Sequence, residues 1–384
     1  MSKLYKILLF LILNYFFLSS QTLGAKEKIK IGLLVPTTGS NKELGQSIIK
    51  AVILAVSDID NDLIEIVIKD TNSDANKTLK SAIELKEMGV QVIIGPVFHQ
   101  SLIYLNQVKD VKFLSLTNKT IDLPENTISA GVNSTSQLLT IKKFLDLNNI
   151  KKTIFLTPIL NYEAEIKKGI EESNIIIFKE HIYDPEPTKL TRQIEEITNY
   201  NVRKQNLKNE IYKIEKSNDI NKEQKIKDLE KKYTIGNVNF DAVIISDFDE
   251  NLKSVATSLL YTDILPTDKY FITLNQWFDE SLLREKDFQP IYYPSINKKN
   301  FDDFKDRFFK KFNENPNHLS LLSYDLVGLV YYLSSKNKLS KLDRIFKKKN
   351  SFRGKTGIFN IKDNKIYHQL NFYKIQDNQL IEIF

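Results

Sequence analysis

Residues able to do covalent or metal chemistry are scarce in this chain. Its 384 residues include no Cys, which removes thiol nucleophiles, disulfides and Cys-based zinc or iron–sulfur sites. The four His (His99, His181, His318 and His368) are far apart and lack the His-x-x-x-His spacing that sets two imidazoles on one helical turn. No metal and no cofactor are expected. Gly354-Lys355-Thr356 ends like a phosphate-binding P-loop, but the upstream Gly would fall at Lys349 and no strand is read before it. Neither Gly-x-Ser-x-Gly nor Gly-x-Gly-x-x-Gly occurs, so the nucleophile elbow and the dinucleotide fingerprint are both missing. Asp plus Glu number 48, so carboxylates can pair by chance, and nothing singles out an acid/base couple. The expectation is a protein that is not an enzyme.

Binding chemistry is better represented. Polar residues follow three predicted strands: Pro36-Thr37-Thr38-Gly39-Ser40, then Gly95-Pro96-Val97-Phe98-His99-Gln100-Ser101, then Ser115-Leu116-Thr117-Asn118. Free amides and hydroxyls at the carboxyl ends of parallel strands suit a carboxylate or another anion. Each stretch singly also reads as a helix cap or a turn. All three fall on one edge of one sheet, which describes a cleft.

The elements that would position them alternate. Short β-branched runs at 29–35, 64–69, 90–94, 113–116 and near Ile128 interleave with helix-period segments at 43–58, 76–88 and 101–107. The pattern restarts at Lys152, with strands at 153–157, 175–178, 241–246 and 270–274 and a helix at 164–172. This alternation predicts an α/β fold with parallel sheets covered on both faces. A polar stretch, 188–236, carries apolar residues at helical spacing (Leu207, Ile211, Ile214, then Ile226, Leu229, Tyr233) and breaks at 216–221, which predicts a helical hairpin inserted in the second unit. Helices follow at 301–312 and 319–333, then a β-hairpin within 354–375.

Net charge is +7, but Lys and Glu are intermixed, without the basic face that nucleic acid requires. Residues 1–25 have a basic start, an apolar run from Ile7 to Leu18 and a small polar end, the layout of a secretory signal peptide. A periplasmic location follows, and with no Cys there the protein is not expected to be a lipoprotein.

Lys30-Ile31-Gly32-Leu33-Leu34-Val35-Pro36-Thr37-Thr38-Gly39, Gly45-Gln46, Lys69-Asp70-Thr71 and Val92-Ile93-Ile94-Gly95-Pro96 resemble the opening of type I periplasmic binding proteins, the leucine-binding-protein superfamily. Weaker similarity continues through Phe155 to Pro158 with Asn161-Tyr162, Phe240 to Ile244, and Ser323 to Val327. The insertion before Phe240 and the run from Asn275-Gln276-Trp277 to Asp279 are most similar to the penicillin-binding-protein activator branch, whose outer-membrane lipoproteins stimulate peptidoglycan synthases. The chain departs from those lipoproteins in lacking an acylated Cys, and from amino-acid binders in having Leu44 where they offer an aromatic residue before Gly45.

The resemblance implies two Rossmann-like lobes with a ligand cleft between them: 26–134 plus 277–352 as lobe one, 135–276 plus 353–384 as lobe two. It implies hinge closure on a small polar ligand, such as an amino acid or amide, with Thr38, Ser40, Phe98, Ser101, Ser115, Thr117, Tyr162, Asp247 and Trp277 at the site. Ser101 and Thr117 would hold a carboxylate, and Asp247 or Asp249 an ammonium. The partner would be an ABC-transporter permease; the alternative is a regulator acting on a peptidoglycan synthase through protein contacts.

Overall fold

The computed structural model describes residues 28–60, 62, 64–159, 162–336, 345–346 and 349–384. The expected signal peptide, 1–25, and Asn161 lie outside the described residues.

Strands β1 (Ile29–Val35), β2 (Ile64–Asp70), β3 (Val92–Ile94), β4 (Lys112–Ser115) and β5 (Thr127–Ser129) form the parallel part of the first sheet, in the order β5-β4-β3-β1-β2. Helices α1 (Lys42–Ile59) and α2 (Ala75–Glu87) are its first crossovers. Asp74 starts α2 by accepting the Lys77 N–H at 2.7 Å, which satisfies one of the free amides of a helix start. Gly45 lets α1 lie against the loop after β1, where an added Cβ would stand 1.8 Å from the Pro36 carbonyl oxygen. The expected helix at 101–107 is two short 3-10 turns, His99–Leu102 and Leu105–Gln107.

The second unit begins at α3 (Ser134–Leu147), capped by Asn133, and continues through β6 (Thr153–Pro158), α4 (Glu163–Ser173), β7 (Lys179–Tyr183) and α5 (Pro187–Ile197). Helices α6 (Tyr200–Glu215) and α7 (Lys222–Glu230) follow, then β8 (Ala242–Ile245), α8 (Asp249–Tyr261), β9 (Tyr270–Thr273) and β10 (Ile291–Ser295). Strand β7 replaces the strand expected at 175–178, where Ile175 turns into the core instead. The chain closes with α9 (Lys298–Phe312), α10 (Leu319–Ser335), β11 (Asn350–Gly354), β12 (Gly357–Lys362), β13 (Lys365–His368), β14 (Asn371–Gln376) and β15 (Gln379–Glu382).

The sheets divide the chain differently from the expected lobe boundaries. Strand β10, expected in lobe one, pairs with β9 and β14 in the second sheet, ordered β15-β14-β10-β9-β8-β6-β7. The hairpin β11–β12–β13, mostly expected in lobe two, extends the first sheet beyond β5. Alternation of side chains identifies a strand but not the sheet edge it joins. The lobes are therefore connected after β5, after β10 and after β13.

The central strands of both sheets are buried on both faces. Ile31, Leu33 and Val35 pack on Ile48 and Val52 of α1 and on Val327 and Val330 of α10, while Leu34, Ile93 and Phe113 face Ala82 and Leu85 of α2. In the second lobe Ile154, Val243 and Ile245 meet α5 and α8, and Phe155 and Ile244 meet Leu138, Ile141 and Phe144 of α3. Helix α5, read as part of the inserted hairpin, is a covering helix whose Leu190 and Ile194 are buried. The protruding pair is α6 and α7 alone. Its seam of Ile211, Ile214, Ile226 and Leu229 is half-buried, and Tyr233, expected in that seam, is 74% exposed.

Candidate functional site

At the carboxyl ends of the first sheet, three of the expected ligand groups, Thr38, Ser115 and Thr117, bond to neighbouring loops or to their own. Asp70, ending β2, accepts from Thr37 N (2.7 Å), Thr38 N (3.3 Å), Thr38 Oγ1 (2.5 Å) and Asn72 N (2.9 Å), and pairs with Lys77. Burial works to raise its carboxyl, but Lys77 and these donors hold it well below the usual carboxylate range. Thr38 is thereby a turn residue, and Ser40 beside it is exposed. Ser115 Oγ donates to Pro96 O at 2.7 Å and accepts from Thr117 N, while Thr117 Oγ1 accepts from Lys119 N. Ser101 is 1% exposed and its Oγ has no partner; Phe98 is half-buried against the first core.

In the second lobe Asp247 is an internal anchor. It is 2% exposed, and its carboxylate accepts from Tyr183 OH (2.6 Å), Phe248 N (2.9 Å) and Tyr162 OH (3.4 Å). Burial, together with the Asp247 charge, raises both phenols above the ordinary tyrosine value. Asp249, two residues on, is exposed at the start of α8.

A cavity of about 440 Å³ opens between the lobes. Asn118 and His318 line it from lobe one, Gln137 from α3, and Asp249 and Asn275-Gln276-Trp277 from lobe two. Its volume suits a small polar molecule. Trp277 stacks on His318 with ring centroids 4.8 Å apart and planes 26° from parallel. Burial pushes the His318 imidazole down to about 4, so the ring is neutral at physiological pH. Trp277 and Phe278 both have left-handed backbones, φ 48° and 59°, which cost an aromatic residue about 1–3 kcal/mol each. Neighbours hold that strain: Asn275 Oδ1 accepts from Trp277 N (3.0 Å) and Ser295 Oγ (2.8 Å), and Asn275 N donates to Gln137 Oε1 (2.9 Å).

Of the nine expected site residues Trp277 lines this cavity, and so does Asp249, the expected alternative to Asp247. Thr117 and Asp247 stand next in sequence to its lining residues Asn118 and Phe248. Asn118 closes the third polar strand end, whereas Gln137, Asn275, Gln276 and His318 are the residues that reading by strand ends missed. The detectable signal was the amide pair preceding the single Trp.

Beside the cavity a second contact ties the lobes. Glu165 of α4, 9% exposed, accepts from Thr120 N (2.8 Å), Ile121 N (2.8 Å) and Thr120 Oγ1 (2.9 Å), all on the loop after β4. Lys168 Nζ donates to Thr120 O at 3.0 Å, and Lys365 of β13 pairs with Glu172 at 2.8 Å.

The P-loop look-alike is also explained. A strand does precede it, contrary to expectation, but another strand follows instead of a helix. Asp325 takes the Lys355 and Thr356 amides (2.7 Å each) and Thr356 Oγ1 (2.6 Å), so these groups brace a turn. Among the described residues no His, Asp and Glu cluster could hold a metal ion.

Residues 28–169 match the sequence family described as periplasmic binding protein. The C-domain of LpoA (YraM) from Haemophilus influenzae, a regulator of PBP1A, superposes with a TM-score of 0.62 at 14% identity, covering 92% of this chain and 100% of that one. LivJ of Streptococcus pneumoniae, solved with isoleucine, gives 0.54 at 18% identity, covering 93% and 100%. The leucine-binding protein LivK of Thermotoga maritima gives 0.57 at 13% identity, covering 93% and 98%. The chain spans 59% of full-length LpoA from Haemophilus influenzae. No curated protein sequence matches. The likeness is one of fold: two α/β lobes, as in type I periplasmic binding proteins, shared with amino-acid binders and with the PBP1A regulator alike.

Proposed function

We propose that the chain is a non-enzymatic, extracytoplasmic two-lobe protein that acts through protein contacts, as a regulator of envelope peptidoglycan synthesis related in role to the LpoA C-domain. The observation that carries this reading is the Glu165 contact. In a ligand-gated pair of lobes, the ligand supplies the bonds that favour closure. Here a buried carboxylate of the chain itself bridges the lobes at the cleft, and the hydroxyls expected to hold a ligand carboxylate are bonded within their loops or buried. No helix among the described residues is long and apolar enough to cross a membrane.

The test adds the purified full chain to a purified class A peptidoglycan synthase and follows glycan polymerisation. Polymerisation is expected to rise, while a mixture of the twenty amino acids leaves the thermal midpoint of the chain unchanged. A raised midpoint with amino acids and no effect on the synthase would replace this reading with the second one, a transporter-linked receptor for a small polar ligand. The observation favouring that second reading is the 440 Å³ cavity with its strained Trp277.

A further inference from the structure

Sheet one ends at β11, and among the described residues the outer edge of that strand pairs with no other. Alongside it runs a groove of about 710 Å³, walled on the other side by α10. All of Ser351 to Lys355 line this groove. Side chains alternate along a strand, so four consecutive lining residues of β11, Ser351 to Gly354, mean that the groove is faced by the strand's outer backbone edge. From α10 the wall is Tyr324, Gly328, Leu329 and Tyr332, one stripe at helical spacing. Gly328 is a notch in that wall, since an added Cβ would meet nothing within 4 Å. Phe359 and Leu329, 3% and 4% exposed, are its apolar lining, and the Tyr332 and Phe352 rings stand edge to face at 6.1 Å.

The more exposed charge along the groove is positive. Arg353 and Lys355 line it, and neither has an ion pair among the described residues. Its one acid, Asp325, is 8% exposed and accepts from the 355–356 turn. We propose that this groove docks an extended, acidic peptide segment of a partner protein, which adds as a strand to β11. Main-chain bonds to the free edge would supply much of the affinity, with alternate side chains dropping toward the Gly328 notch and carboxylates meeting Arg353 and Lys355. This holds whichever reading of the interlobe cavity is correct.

The probe is a pair of fluorescein-labelled random heptapeptide pools, one restricted to aromatic, β-branched and Asp/Glu residues, the other with Lys in place of the acids. The full chain is expected to bind the acidic pool saturably, and hydrogen exchange at the outward-facing amides of β11 is expected to slow. Gly328→Leu, which fills the notch, should abolish binding; Arg353→Glu with Lys355→Glu should weaken it by about tenfold or more. Gly328→Ala controls for folding, and the double charge variant decides the matter if Gly328→Leu does not fold. Equal binding of both pools, or binding without slowed exchange in β11, would overturn the proposal.

Discussion

Glu165 on α4 and Thr120 on the loop after β4 belong to different lobes, yet their side chains are both buried and bonded at 2.9 Å, with the Thr120 amide on the same carboxylate at 2.8 Å. This pairing turns two lobes into a braced unit at the face where a cleft would open. Glu165→Ala leaves the Thr120 and Ile121 amides and a hydroxyl without partners. The expected loss is about 3 kcal/mol in urea unfolding, with a larger radius of gyration by solution scattering. An unchanged radius would mean that the three crossovers alone fix the lobes.

Acid should destabilise the protein through His368. Burial pushes its imidazole down to about 4, with one nitrogen on the Ala130 carbonyl at 3.1 Å and Nδ1 unpartnered. A folded value below the unfolded one of about 6.5 means that the unfolded chain binds the extra proton first. The contribution is thus complete above about pH 6.5 and falls away toward pH 4, by about 3 kcal/mol in full. His318, lowered likewise, adds in the same window. Thermal midpoints between pH 7 and pH 4 should fall less steeply in His368→Gln than in the parent.

Two glycines should respond oppositely to alanine. At Gly328, inside α10 and open on its outer side, Ala should stabilise by about 0.5–1 kcal/mol through helix propensity. At Gly45 the same change drives a Cβ into the Pro36 carbonyl, and α1 must move off the loop after β1. Denaturant midpoints would separate them, and a destabilising Gly328→Ala would refute the open-space argument.

The α6–α7 pair is anchored at its base. Arg203, 6% exposed, donates to Thr262 O (2.9 Å), Gly236 O (3.2 Å) and Thr234 Oγ1 (2.6 Å). Arg203→Met leaves those oxygens without this donor and is expected to cost about 2–4 kcal/mol. Replacing only 209–230 with a short Gly/Ser linker keeps that base and should leave the unfolding midpoint within about 1 kcal/mol of the parent. A large loss there would show that the outer pair covers lobe two.

Period and composition were enough to specify the α/β class, the two units and most of the parallel strands, because hydrophobic alternation and helical spacing are local properties of consecutive residues; β7 lies a few residues beyond its expected place, and β10, β11 and β15 are strands that the local pattern did not mark. The absence of Cys and of any nucleophile motif was equally plain in the residues themselves. What the local pattern could not carry was pairing across long separations. The seating of β10 in one sheet and of β11–β13 in the other depends on which edges are free once both cores are packed. The cavity has the same origin: Asn118, Gln137, Asn275 and His318 meet only because three crossovers bring distant loops together. Ser101, Ser115 and Asp247 had the right chemistry for a ligand, but the folded chain buries Ser101 and engages Ser115 and Asp247 with Pro96 and Tyr183.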